Sequence, residues 1–226
     1  MGVTGGEETI VTDGLEFVID AGNTLSYISG STDTRDIMEN NSLTVSSTPL
    51  YSTDGGGCWR FDGTDDKITL GTNLNNSIYT VCIGYRYDEN DGSFGYFYSY
   101  YQSAGLAVSE GGSDSGIDNG DIYYWAGSAT KLADAGTYPS LLTDWNWVTF
   151  ILDAGSGTGK LYLNDQKVYD GAIGGSPSSI IDKIGTITTY NHWFEGKIAN
   201  FLYYNRELTE TEILQNYNAT KERFGL

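Results

Sequence analysis

Three short segments rich in Asp and Asn offer the oxygen ligands that a calcium site needs. Their residues are Asp62, Asp65 and Asp66; Asp88, Asn90 and Asp91; and Asp114, Asp118, Asn119 and Asp121. Calcium binds about six to eight oxygens from carboxylates, amides and carbonyls, but no segment has EF-hand spacing. Turn formation is the favoured interpretation of each, because Asp and Asn bond their own backbone. We take Asp88, Asn90 and Asp91 as candidate calcium ligands and expect no other cofactor.

Catalytic groups are sparse in this sequence. Its one histidine, His192, stands beside Trp193, where packing explains it better than base catalysis does. Glu89 and Asp91 would share a strand face, but they fall in the turn sequence DENDG. No nucleophile elbow, phosphate-binding loop or Cys/His zinc cluster is present. The sequence therefore predicts a protein that is not an enzyme.

Aromatic side chains are the most abundant candidates for binding, with 18 Tyr, 8 Phe and 5 Trp. They concentrate in FGYFYSYY (94–101) and IYYWA (122–126). Rings of this kind stack on sugar faces and anchor protein interfaces. Because strand residues alternate between faces, half of each run is expected in the core. We assign the following residues to partner or glycan binding, with a protein interface favoured: Tyr96, Tyr98, Tyr100, Tyr123 and Trp125.

The composition limits the class of protein. The chain has 226 residues, a length that suits one large all-β domain, and a net charge of −18. Nucleic acid is not an expected partner, because phosphate binding needs clustered Lys and Arg. Neither a membrane-spanning run nor a signal peptide is visible. Cys58 and Cys82 lie in apolar strand-like runs, so two buried free thiols are expected, with a disulfide as the alternative.

Short apolar runs separated by Asp-Gly and Asn-Gly pairs predict strands joined by tight turns. The candidate strands are 14–20, 58–63, 66–70, 79–87, 92–101, 106–110, 121–126, 146–154, 159–170, 180–187 and 194–205. In NWVTFILD (146–153) both alternating sets are largely apolar, which is typical of a strand inside a packed sheet. The polar segment 21–56 predicts one long surface loop, and 111–120 predicts another.

One helix is predicted at the end of the chain. Thr209 and Glu212 have the spacing of a capping box. Lys221 and Arg223 suit the negative end of the helix dipole, and Gly225 can terminate the helix. A helix of this length is marginal alone, so we expect it to pack on the strands.

Four segments of the sequence resemble laminin-G-like, concanavalin A-type jelly-roll domains. They are GLEFVIDAGN (14–23), WRFDGTDDKITL (59–70), WVTFILDAGSGTGKLYLNDQKV (147–168) and FEGKIANFLYYNRELTETEILQNYNATKERFG (194–225). The last is most similar to the form found in bacteriophage virion proteins. The resemblance implies an all-β fold: a two-sheet antiparallel jelly-roll sandwich with one short C-terminal helix. We expect a single domain over 1–226, with an N-terminal arm at 1–13 and a strand exit and helix at 205–226.

Two functional hypotheses follow from this resemblance. The first is a structural protein of a virus particle, either a capsid decoration protein or a tail or fibre domain, assembled in the host cytoplasm and binding capsid or tail proteins. Such a protein would form a homo-oligomer, with a trimer suiting a lattice three-fold axis. The alternative is a carbohydrate-binding module for host-surface glycans. A glucanase role is disfavoured, because the E-x-D-x-x-E pattern of the family's glucanases does not occur.

Overall fold

The computed structural model describes residues 9–27, 33–46, 49–88, 93–101, 103–110 and 116–226. These residues form seventeen strands and one α-helix. In chain order they are β1 (Leu15–Asp20), β2 (Leu43–Ser46), β3 (Leu50–Ser52), β4 (Cys58–Asp62), β5 (Lys67–Asn75), β6 (Ile78–Tyr87), β7 (Ser93–Tyr100), β8 (Ala104–Glu110), β9 (Ile122–Trp125), β10 (Ala129–Ala133), β11 (Trp145–Asp153), β12 (Thr158–Leu163), β13 (Gln166–Ala172), β14 (Ile180–Ile184), β15 (Thr186–Ile187), β16 (His192–Trp193), β17 (Glu195–Tyr204) and α1 (Glu210–Phe224). The described part of the chain contains no helix with the length and apolarity of a membrane span.

Two antiparallel sheets form a sandwich. Sheet I has the order β13-β12-β11-β6-β17-β4-β3, and β1 also pairs with β17. Sheet II has the order β10-β9-β8-β7-β14-β5-β2. The main core lies between the sheets and contains Val148, Phe150 and Leu152 of β11. The predicted all-β sandwich is therefore confirmed.

Strand β11 has the central position that its sequence predicts. It lies between β12 and β6, and its residues Trp145 to Leu152 are all buried. Trp147 and Ile151 point to the outer face of sheet I, where a second apolar cluster includes the free, buried thiols of Cys58 and Cys82. The prediction of two buried free thiols is thus confirmed.

Helix α1 covers the second apolar cluster. Its capping box is present, because Thr209 Oγ1 accepts from the Glu212 amide and the Glu212 carboxylate accepts from the Thr209 amide. Phe224 stacks on Trp145 with ring centroids 5.1 Å apart. Gly84 of β6 makes room for this packing, since a Cβ there would lie 2.5 Å from Phe224 Cζ. The predicted packing of the helix on the strands is confirmed.

Among the segments that differ from the sequence prediction are 21–56 and 159–170. The polar segment 21–56 is not one loop, because it contains β2 and β3, which form the edges of the two sheets. Both strands have only three or four residues, which is too short to show an apolar period in the sequence. The range 159–170 is a hairpin of β12 and β13 that turns at Asn164, where φ is +58°.

Candidate functional site

An aromatic pocket of about 190 Å³ opens on the outer face of sheet II, the face turned away from sheet I. Strands β7, β9, β10 and the β15–β16 hairpin build it. The lining residues are Phe94, Tyr96, Ile117, Tyr123, Trp125, Ala129, Tyr190 and His192. The pocket is smaller than the roughly 300–1,000 Å³ of sites for drug-sized ligands. Its size therefore suits one small ring.

Strand alternation sets the floor of the aromatic pocket. Tyr96 on β7 and Tyr123 on β9 both pair with Ala107 of the intervening strand β8. The small Ala107 side chain lets the two Tyr rings meet edge to face at 6.3 Å. Gly105, two residues earlier, leaves space for Tyr96, because a Cβ there would lie 2.8 Å from Tyr96 Cδ1. The floor therefore depends on small residues in β8.

The β15–β16 hairpin supplies one wall. Its turn passes through Asn191, where φ is +53°. His192 lies parallel to the Tyr96 ring at 6.3 Å and meets the edge of Phe94 at 5.3 Å. Tyr190 lies 6.0 Å from His192 and is 51% exposed. This wall places a half-open aromatic side chain at the mouth of the pocket.

The lining groups of the aromatic pocket are uncharged near neutral pH. Burial lowers the pKa of His192, so its imidazole is neutral. Burial also raises the pKa of Tyr96, so its hydroxyl keeps its proton. None of the described residues that line the pocket is Asp, Glu, Lys or Arg. The pocket can therefore supply ring faces and neutral hydrogen-bonding groups.

A charged cluster, here called the acidic rim, adjoins the aromatic pocket. Lys131 of β10 pairs across the sheet with Tyr123 of the pocket floor. Its ammonium contacts Asp121 at 2.7 Å, Asp134 at 3.3 Å and Asp118 at 3.7 Å. These carboxylates raise the pKa of Lys131, chiefly through the hydrogen bond to Asp121. Three carboxylates against one ammonium give the acidic rim a negative excess.

Three of the five aromatic residues predicted from the sequence meet in this pocket, namely Tyr96, Tyr123 and Trp125. Tyr98 is instead in the main core, 1% exposed, and its hydroxyl lies 3.1 Å from that of Tyr79. Tyr100 is half-buried and does not line the pocket. The cause is a register shift between Tyr96 and Tyr98, because an extra residue in a strand reverses the faces beyond it. The placement of Tyr98 on the binding face is therefore wrong.

Sequence reasoning missed five of the lining residues. Phe94 carried a usable signal, because it has the same parity as Tyr96 on the same strand. The other four come from other segments, and only the tertiary fold brings them together: Ile117, Ala129, Tyr190 and His192. His192 was interpreted as a packed residue, and it does pack against three rings.

Only one of the three predicted calcium ligands, Asp88, lies within the described residues. Asn90 and Asp91 fall outside the described residues, and Asp88 lies 3.9 Å from both Arg60 and Arg86. In a second segment Asp118 and Asp121 contact Lys131, while Asp114 is outside the described residues. Calcium binding by Asp88 and its neighbours stays a prediction.

The third acidic segment brings its carboxylates together. Oxygens of Asp62, Asp65 and Asp66 lie within 4.8 Å of one another. Asp66 is buried and accepts from the Asp62 amide at 3.0 Å, while Asp62 accepts from the Thr64 amide at 2.9 Å. Burial, and then the Asp62 charge, raises the pKa of Asp66 to about 6. These bonds organise the turn between β4 and β5.

A family profile described as the concanavalin A-like lectin/glucanases superfamily, laminin-G type, matches residues 62–214. A search of curated proteins finds no match.

Several solved structures share the fold. The botulinum neurotoxin serotype D ligand-binding domain, in complex with N-acetylneuraminic acid, is 14% identical with a TM-score of 0.65, over 91% of this chain and 50% of that chain. The binding domain of Paraclostridial mosquitocidal protein 1 is 15% identical with a TM-score of 0.65, over 91% and 52%. Trypanosoma rangeli sialidase is 13% identical with a TM-score of 0.62, over 95% and 34%. This chain thus spans a third to a half of those chains, and such low identities show the fold alone.

Proposed function

Because this chain belongs to the concanavalin A-like lectin/glucanase superfamily, we propose that it is a carbohydrate-binding domain whose aromatic pocket receives one sugar ring. The observation that carries the proposal is the pocket itself, a concave set of aromatic rings on the outer face of sheet II. A structurally similar toxin domain is bound to N-acetylneuraminic acid. Glycan binding therefore takes precedence over the protein interface that the sequence favoured.

The binding mode follows from the chemistry of the lining. A pyranose has one face of C–H groups, which packs on Trp125 or on the exposed ring of Tyr190. The sugar hydroxyls then meet the neutral imidazole of His192 and the Tyr190 hydroxyl at the mouth. Such a shallow site binds weakly, and repeated copies on one particle or cell surface raise the avidity.

A matched pair of Tyr variants tests this proposal. Tyr190 lines the pocket and is 51% exposed, whereas Tyr101 is 60% exposed and lies outside it. We expect glycan-array binding of a multivalent form of the protein, lost or strongly reduced in Tyr190→Ala and Trp125→Ala but kept in Tyr101→Ala. Absence of signal for every glycan, or equal loss in Tyr101→Ala, overturns the proposal.

We propose binding without cleavage of the glycan. Glycoside hydrolysis commonly uses two carboxyl groups that flank the scissile bond, and the described lining of the pocket has none. Release of reducing sugar from a bound glycan would contradict this proposal.

The virion role is retained as a second proposal, since the C-terminal segment favours it. A glycan-binding domain displayed on a virus particle would satisfy both proposals. Mass spectrometry of purified particles tests it, and absence of the chain from them would exclude it. The proposed trimer, the capsid or tail partners and the virion location depend on the same result.

A further inference from the structure

We infer that the aromatic pocket selects a neutral sugar ring and discriminates against sugars that carry a carboxylate or sulfate. This inference rests on the proposed function of the pocket. It separates the chain from the similar toxin domain that is bound to N-acetylneuraminic acid, an acidic sugar.

The first support is the location of the basic residues. An anionic sugar is held most strongly by charge-assisted hydrogen bonds from Lys or Arg. All twelve Lys and Arg residues fall in the described ranges, and none of them lines the aromatic pocket. Five lie on strands of sheet I, three lie in the C-terminal segment 206–226, and Arg35 lies between β1 and β2. The segments outside the described ranges contain no Lys or Arg that could change this result.

Two of the three basic residues of sheet II contact groups outside the aromatic pocket. Lys183 contacts Asp182 at 2.6 Å. Lys67 lies over the Trp193 ring at 5.0 Å. Trp193 follows His192 on β16, and consecutive strand residues point to opposite faces, so Lys67 lies on the side of the hairpin away from the pocket. Lys131 is the remaining basic residue of this sheet.

The second support is the charge of the acidic rim. The Lys131 ammonium is surrounded by Asp118, Asp121 and Asp134, which leave an excess of two negative charges. Asp118 directly follows the pocket residue Ile117 and has an 84% exposed side chain. Asp121 is fully buried and also accepts from the amides of Asp118 and Ala135, so the cluster is held in place. A sugar carboxylate entering the pocket would therefore meet repulsion and no available cation.

The expected discrimination follows from Coulomb's law. For a sugar carboxylate one Debye length, roughly 8 Å, from the two excess negative charges, Coulomb's law in a water-like medium gives about fivefold weaker binding. The effect is screened by salt, so it should shrink as the ionic strength rises.

The test uses glycan pairs that differ only by a terminal N-acetylneuraminic acid, each presented on one array before and after sialidase treatment. We expect about fivefold weaker binding to the sialylated member at low salt, and a smaller difference at high salt. In Asp118→Asn the difference in binding between the sialylated and the desialylated glycan should become smaller. In Asp165→Asn, which removes an exposed carboxylate between β12 and β13 of sheet I, it should persist.

The outcomes separate the two proposals. Equal or tighter binding of sialylated glycans, lost in Tyr190→Ala, overturns the inference and leaves the carbohydrate-binding function intact. Absence of binding to every glycan overturns both. A preference for neutral glycans that Asp118→Asn leaves unchanged also overturns the inference, because the acidic rim would then not be its cause.

Discussion

Replacement of Arg223 by Met should destabilise the protein strongly, because Arg223 closes a buried ion pair. Its Nη1 lies 2.8 Å from Asp20 Oδ1, and the two side chains are 13% and 2% exposed. Its Nε and Nη2 donate to the carbonyls of Gly55 and Gly57 at 2.6 and 2.7 Å. Met keeps most of the apolar stem and removes every one of these bonds.

The magnitude can be worked from the burial of Asp20. Removal of one partner of a buried pair costs about 3–5 kcal/mol. Asp20 would keep one hydrogen bond, from the Gly22 amide at 2.8 Å, so the lower end applies. About 3 kcal/mol corresponds to a fall of roughly 10 °C in melting temperature for a domain of this size. The variant with both Arg223→Met and Asp20→Asn should lose less than the two single changes added together.

Urea unfolding followed by Trp fluorescence measures the change, with Lys160→Met as the control. The Lys160–Glu207 pair has nearly the same separation, 2.7 Å, but its side chains are 35% and 48% exposed. Exposed pairs contribute about 1 kcal/mol or less. If the two variants unfold within about 1 kcal/mol of each other, burial is not what gives the Arg223 pair its effect, and the reasoning is refuted.

Three further outcomes are expected. The folded pKa of Asp66, about 6, lies above its ordinary 3.8, so Asp66 makes the folded state bind more protons between these values. Its contribution to the free energy of unfolding therefore rises as pH falls from 7 to 4. Urea unfolding at several pH values should show that Asp66→Asn lacks this contribution. An Asp66→Asn variant whose free energy of unfolding changes with pH as the unchanged protein's does would contradict the prediction. Burial raises the pKa of Cys58 to about 11 and of Cys82 to about 12, so neither thiol should react with a disulfide reagent at pH 8 until denaturant is added. Asp62→Asn should leave any calcium-dependent rise in melting temperature unchanged, because backbone amides already donate to carboxylate oxygens of Asp62 and Asp66; loss of that rise in the variant would show an ion bound at this segment.

The features that local sequence determines were predictable. The capping box of Thr209 and Glu212 and the left-handed Gly225 act within a few residues, so helix α1 could be placed from the sequence alone. The central position of β11 followed from its two apolar faces in the same way.

The composition of the site needed information from distant segments. A single register shift in β7 moves Tyr98 into the core, and no residue type near it marks that shift. The wall formed by Tyr190 and His192 comes from the β15–β16 hairpin, far from β7 and β9 in the sequence. Its strands have two residues each, which is too short to show an alternating apolar pattern. The acidic rim likewise joins two Asp residues of one turn, Asp118 and Asp121, and Asp134 of a later turn to one Lys.

Strand β17 has a consequence for how a ribosome-bound chain acquires its structure. Its residues are synthesised long after those of β1, β4 and β6, the strands with which they pair. Until residue 204 has left the exit tunnel, those earlier strands keep open hydrogen-bonding edges, which are the surfaces that recruit foreign strands. A nascent chain of this protein must therefore be shielded, or must remain loosely structured, until β17 has left the ribosome.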